Sequence, residues 1–525
     1  MEIIINILAF VFSLGIIIAI HEWGHFIFAK RANILCHEYA IGMGPVVYQK
    51  KKGETQYSIR AIPIGGFVSM AGEQVESSLL RKDQRIGLNF KDGKVCEINL
   101  NPEFVKSEQE MLITAHDLYD QAGNGLFISG VVNQIEQTFE VLNDASYVFT
   151  EKKKLQIAPY NRSFESKTLW QRFLTIFAGP MMNFILAFFL FIIVALATGK
   201  PVTTPVINEV IGNNPASISG ILPGDKILSI GAVQVDSWSK IGDALDQYAG
   251  SYDVSIVILR NGVEQTFTIT PRVDINSMGI SNFNGSTIIN SPNGAYIASV
   301  FGKAVGTKDK PLMLAGDVVT AVKTGEVTKT ITSFKDLILF AKGYEGGEAT
   351  FSVLRDGENI EITYDVWEQS VLDSQDINKY QSVIGISPNT QFDFLYSISQ
   401  GFTQIGKSVS QIIKVLGLLF GGSNQIGLND MSGPVGIFNI VGSYASQGFI
   451  ALLFFIGFLS INIGVMNLLP IPALDGGRLV FLLFELVTRK PINKKVENTI
   501  NNVMFILLMA LFIYITFFDI GRLFG

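Results

Sequence analysis

Long apolar runs alternate with stretches of ordinary polar sequence along this chain. Four runs come near or exceed the ~17–20 residues that cross a bilayer core: roughly 4–29, 173–198, 449–469 and 503–518. Between the first two, alternation at 57–62 followed by Pro63 and Gly65-Gly66 predicts a β-hairpin. Between 395 and 419, Leu395, Ile398, Phe402, Ile405, Val409 and Ile412 recur at helical spacing, with Lys407 and Lys414 elsewhere on the wheel. That pattern predicts an amphipathic helix lying in the membrane surface.

The region between the second and third apolar runs contains an internal repeat. Leu222-Pro223-Gly224-Asp225 and the apolar strand after it are echoed by Leu314-Ala315-Gly316-Asp317 and its strand. Arg260-Asn261-Gly262 is echoed by Arg355-Asp356-Gly357, and Trp238 matches Phe334 ahead of a helical stretch. Shared order and spacing predict two copies of one small domain, and the pattern resembles bacterial PDZ domains. The predicted fold class is a polytopic α-helical membrane protein with about four transmembrane helices, a membrane-associated β-hairpin and two extracytoplasmic PDZ-like α+β domains. The expected divisions are 1–71 for the first helix and hairpin, 72–170 for a cytoplasmic insert and 171–199 for the second helix. The two PDZ-like copies follow at 200–275 and 276–370, then a linker with the amphipathic helix at 371–447, and the last two spans at 448–525.

Composition agrees with a membrane chain: 48% hydrophobic residues, 16% charged and a mean hydropathy of +0.35. The net charge of −6, without long basic runs, speaks against nucleic acid as a partner. The two cysteines, Cys36 and Cys96, imply no disulfide framework. The first run lacks a basic n-region and carries ionisable residues, so it is expected to be a retained helix and not a cleaved signal. Lys30, Arg31 and Lys50 to Lys52 follow the first span; Lys152 to Lys154, Arg162, Lys167 and Arg172 precede the second; Arg489, Lys490, Lys494 and Lys495 separate the last two. By the positive-inside rule these ends are cytoplasmic, and 199–447 faces the other side.

Chemistry concentrates in the first span. His21-Glu22-Trp23-Gly24-His25 places two imidazoles one helical turn apart with a carboxylate beside them, the spacing of a zinc pair with a general base. Ionisable groups in an apolar helix are costly without partners, and a metal supplies one. A third ligand is still needed. His37 reads as a surface residue and His116 stands alone in the insert. The better candidate is Asp475 in Asn467-Leu468-Leu469-Pro470-Ile471-Pro472-Ala473-Leu474-Asp475-Gly476-Gly477, an irregular segment on the same membrane side. Asp475 as the N-cap of a following helix is the alternative.

Taken together, these motifs resemble the site-2 protease family, the bacterial RseP/RasP-type intramembrane zinc metalloproteases with PDZ domains. The likeness extends through Phe177-Ala178-Gly179-Pro180-Met181-Met182-Asn183 and Ser432-Gly433-Pro434-Val435-Gly436. It implies Zn²⁺ bound by His21, His25 and Asp475, with Glu22 as base and Asn462 and Asn467 contacting substrate or steadying the site. It implies regulated intramembrane proteolysis of single-span proteins in a bacterial plasma membrane, near its cytoplasmic side. Anti-sigma factors, trimmed membrane regulators or signal-peptide remnants would be the substrates, after an upstream site-1 protease. The hairpin over 57–70, with Tyr57, Ile59, Ala61, Gly65 and Gly66, is then expected to receive the unwound substrate as an added strand. A zinc transporter or a catalytically dead scaffold are the rivals; the repeated outer domains do not suit the first, nor the intact HExxH and LDG motifs the second.

Overall fold

The computed structural model describes residues 2–72, 79–102, 105–150, 153–306, 312–422 and 425–524; Lys152 lies outside them. The chain divides into two compact units, Met1–Leu190 with Ile437–Ile513, and Phe191–Gly436 with Tyr514–Gly525.

Among the described residues, four helices are long and apolar enough to cross a membrane. They are α1 (Glu2–Arg31), α2 (Leu169–Thr198), α3 (Phe449–Leu468) and, after the shorter α4 (Asp475–Thr488), α5 (Lys494–Phe524). α1, α2 and α5 extend beyond the predicted runs because polar turns such as Ala29-Lys30-Arg31 continue the helical hydrogen bonding after the apolar stretch ends. Ile3, Leu8, Phe12, Ile506 and Phe517 are exposed on the protein. Large apolar surface of that extent is stable only in lipid. α4 is the helix that the alternative reading of Asp475 placed after the irregular segment.

In the first unit, α1 packs on two long strands, β1 (Cys36–Lys52) and β2 (Thr55–Met70), which double back on one another. Residues 48–52 pair with 55–59, 55–59 lies beside 38–41 in parallel register, and 36–41 pairs with 66–70. The simple hairpin expected from the sequence is therefore a folded sheet, with 55–59 inside it and 66–70 along its margin. Glu54, at the β1–β2 turn, accepts from Arg162 at 2.7 and 2.8 Å and from Lys30 at 2.5 Å. These partners hold its carboxyl down at about 2.

The insert is a small β-barrel. Strands Lys94–Asn99, Arg85–Lys91, Gln109–Asp117, Phe127–Val132 and Ile135–Thr150 follow in spatial order, and Lys153–Gln156 adds to the last. Parallel pairing of Lys94–Asn99 with 141–148 closes the ring around Ile86, Leu88, Ile98, Met111, Ile113 and Ile128. Asp92 and Gly93, both at positive φ, make the first tight turn.

The second unit holds the repeat. One copy orders its sheet Val233–Gln234, Lys226–Ile230, Val254–Arg260, Val263–Ile269, with helix Ser239–Gln247. The other orders Ala295–Tyr296, Val318–Thr324, Gly347–Arg355, Glu358–Val366, with helix Phe334–Gly343. The repeated Asp and Arg are partners. Arg260 grips Asp225 with two bonds of 2.7 Å, and Arg355 grips Asp317 with two of 2.7 Å. Each carboxylate also caps its own turn, at Leu222 N and Leu314 N, both 2.8 Å. The copies are nested and not in tandem. Ile386–Pro388 returns to pair with Ile207–Val210, and Ile384 joins the first copy's core, so part of the expected linker belongs to that domain. Phe394–Phe420 is the predicted amphipathic helix, with Leu395, Phe402 and Ile413 exposed and Ser397, Gly401 and Ser408 buried. A helix that turns its apolar side outward suits a lipid surface.

Candidate active site

α1 and α2 approach closely enough to exclude side chains at two points. A Cβ on Gly24 would lie 2.3 Å from Ala178 O, and one on Gly179 would lie 2.2 Å from His25 Nε2. This contact buries His21, Glu22 and His25, each 8% exposed. α3 closes the other side of α2 through Ser460 Oγ, which donates to Asn183 O at 2.9 Å. After α3 the chain turns irregularly through Pro470 and Pro472, and α4 begins at Asp475 with Leu474 as its N-cap. Asp475 is thus the first helical residue and not the cap. Gly476 and Gly477 are required by close approach, since added Cβ atoms would lie 2.1 Å from Leu469 O and 2.4 Å from Ile471 O.

Three ligand atoms converge. His21 Nε2 and His25 Nε2 are 3.3 Å apart, and each is 3.3 Å from Asp475 Oδ2. Bonds of ~2.0 Å at tetrahedral angles place neighbouring ligand atoms roughly 3.3 Å apart, so the triangle has the dimensions of a zinc site. The protonation pattern agrees. His25 Nδ1 lies 2.8 Å from Thr175 O, a carbonyl that only accepts, so Nδ1 carries a proton and a neutral ring offers its Nε2 lone pair to a metal. His21 Nδ1 lies 3.2 Å from the buried Asn183 amide. With the amide oxygen turned toward it, Nδ1 carries the proton and Nε2 is left for a metal. Two imidazole lone pairs and a carboxylate oxygen, itself buried without a hydrogen-bond donor among the described residues, then face one point. Such a set repels itself unless a cation sits between.

A cavity of about 640 Å³ opens beside this triangle, lined by Glu22, Asn467, Arg478 and the whole margin from Gly65 to Met70. Gly66 runs so near that its Cβ would meet Glu22 Cγ at 2.9 Å. Of the residues singled out in the sequence, His21, Glu22, His25, Asp475, Asn467, Gly65 and Gly66 meet at this cavity. Tyr57, Ile59, Ala61 and Asn462 do not line it. Tyr57 and Ile59 have strand partners on both sides, 50 and 39 for the first, 48 and 41 for the second, so no further strand can add there. Asn462 turns its amide back to Phe458 O at 3.3 Å. His37 is not a surface residue: it lines the cavity, and burial holds its imidazole down at about 4. Leu155, from the insert, lines it too.

Sequence reasoning missed Thr175 and Asn183 as imidazole partners. Asn183 carried a signal, being an amide within the apolar stretch of a spanning helix; Thr175 acts through its backbone and carried none.

The model of peptidase family M50 matches residues 9–511. The zinc metalloprotease RasP of Geobacillus kaustophilus is 31% identical over 520 residues, covering 99% of this chain and 98% of that protein. That of Bacillus licheniformis is 32% identical over 530 residues, covering 99% of both. The regulator of sigma-W protease RasP of Bacillus subtilis is 30% identical over 531 residues, again covering 99% of both.

Proposed function

The chain belongs to peptidase family M50, and from that premise we propose that it hydrolyses peptide bonds of single-span membrane proteins within the bilayer. It is a zinc metalloendopeptidase and a multi-pass membrane protein. The observation that carries the site assignment is the 3.3 Å triangle of His21 Nε2, His25 Nε2 and Asp475 Oδ2, which we assign as the zinc ligands.

Zinc held there supplies a Lewis acid for the scissile carbonyl and the attacking water. Glu22, one residue from His21 and buried against Gly66, takes the proton from that water and returns it to the leaving amine. Thr175 and Asn183 fix the imidazole tautomers so that both Nε2 lone pairs point inward. A transmembrane helix hides its carbonyls in hydrogen bonds and must unwind to be cut. Its freed backbone pairs with the 66–70 margin, whose only strand partner among the described residues is 36–41, and Asn467 binds it from the facing wall. Strand addition therefore belongs to 66–70 and not to Tyr57 and Ile59.

The flanking charges support a site near the cytoplasmic face and outer domains on the opposite side. The two nested domains are PDZ-like and filter substrates by bulk, so that an upstream site-1 protease must trim a substrate first. The relative named a regulator of sigma-W supports anti-sigma factors among the substrates. Asp475→Ala tests the site assignment: zinc content and cleavage should both fall, because two imidazoles alone bind weakly. Normal zinc and normal cleavage would remove Asp475 from the site.

A further inference from the structure

Asp475 reaches the imidazoles from a segment with little regular structure of its own. Ile471 N bonds Leu469 O at 2.7 Å and Leu474 N bonds Ile471 O at 3.2 Å, which makes Ala473 the third residue of the tight turn 471–474, at φ +73°. That left-handed conformation favours glycine and penalises alanine. Something outside the segment must impose it. The backbone N–H of Ala473 donates to Asn501 Oδ1 at 3.1 Å, and Asn501 stands on α5, one of the long spanning helices. Both residues line a second, polar cavity of about 940 Å³ next to the first.

We propose that Asn501 is a positioning residue for the metal centre: by accepting from Ala473 it locks the strained turn that carries the Asp475 carboxylate to His21 and His25. It touches neither the ligand atoms nor the 66–70 margin. The three atoms of the triangle come from α1 and from the start of α4, and the geometry of the second contributor is set two residues upstream of Asp475. Without the acceptor, Ala473 relaxes toward negative φ, and the redirected chain withdraws the carboxylate. The inference rests on the zinc assignment above.

The test is zinc affinity, measured by competition with a chromophoric chelator on the full-length, detergent-purified protein, so that no substrate is needed. Loss of an outer partner of a metal ligand weakens binding about 10–100-fold, and Asn501→Ala should fall in that range. Asn501→Asp keeps an acceptor oxygen and should stay near the wild-type value. Ala473→Gly, which adopts φ +73° without penalty, should restore at least half of the logarithmic loss when added to Asn501→Ala. Wild-type affinity in Asn501→Ala, an equal loss in Asn501→Asp, or no recovery in the double variant each overturns the proposal. Should Asn501→Ala fail to fold by circular dichroism, Asn501→Leu, which keeps the side-chain size without an acceptor, takes its place, and wild-type zinc affinity in that variant overturns the proposal. A wild-type protein whose zinc binding is indifferent to His25→Ala would overturn both this proposal and the site assignment; binding lost in His25→Ala but unchanged in Asn501→Ala overturns this one alone.

Discussion

Replacing Gly179 with alanine should disable the site from the far side of a helix interface. The new methyl would sit 2.2 Å from His25 Nε2, 2.5 Å from Cε1 and 2.8 Å from Cδ2. Non-bonded contact begins near ~3.5 Å, so the ring or the helix must move by roughly 1 Å. The ring has little freedom, because its Nδ1 is bonded at 2.8 Å to Thr175 O, on the same helix as the intruding methyl. Metal ligands tolerate displacements of ~0.2 Å, and a misplacement of ~1 Å costs on the order of 10²-fold in rate. Parting α1 from α2 instead would undo the contact at Gly24 and cost about 1–3 kcal/mol of packing. Gly15 on α1 is the matched control, since an added Cβ there meets nothing within 4 Å. Gly15→Ala should be neutral or stabilising by up to ~1 kcal/mol. Both variants would be purified in detergent, assayed for zinc by mass spectrometry and given a fluorogenic transmembrane substrate. Gly179→Ala should lose zinc and about 10²-fold of its cleavage rate, with Gly15→Ala unaffected. Wild-type zinc and rate in Gly179→Ala would refute the reasoning.

Other expectations follow from the same structure. Val68→Pro, on the sheet margin, should lower cleavage far more than zinc content, whereas Ile59→Pro inside the sheet should destabilise the protein itself; equal, unimpaired cleavage in both would count against strand addition. Asp317→Ala leaves Arg355 without its buried partner and should destabilise its domain by about 3 kcal/mol, seen as faster limited proteolysis of the full chain between 290 and 366; an unchanged digestion pattern would contradict the repeat's shared clamp. Deleting 202–389, which removes both nested domains with the returning strand Ile386–Pro388, should let an untrimmed substrate be cut; a variant that folds, retains zinc and still refuses that substrate would end the filter idea.

The legible features were those encoded locally. The spacing of His21 and His25, the apolar runs and the echo between Asp225 and Asp317 are properties of short stretches. The recurrence of an Asp and an Arg in each repeat was readable too, but only the fold shows that they are partners. What escaped was set by distant contacts. Residues 55–59 and 66–70 read equally well as strands, and which of them lies inside the sheet depends on how β1 doubles back. Closure of the insert rests on a parallel pairing between 95–99 and 141–148, for which no local signal exists. The nested arrangement turns on Ile386–Pro388, three residues too short to show any period. Gly179 and Asn501 matter through neighbours far away in sequence, and neither residue type announces that by itself.

The central claim, that His21, His25 and Asp475 hold zinc while Glu22 moves the proton, is tested most directly by Glu22→Gln. Wild type and variant would be reconstituted in lipid with the same transmembrane substrate, and zinc and cleavage measured on the same preparation. The glutamine keeps the size of the side chain and leaves the three ligands intact, so zinc should remain stoichiometric while cleavage disappears. Cleavage persisting in Glu22→Gln at a rate comparable to wild type, with zinc in place, would contradict the account.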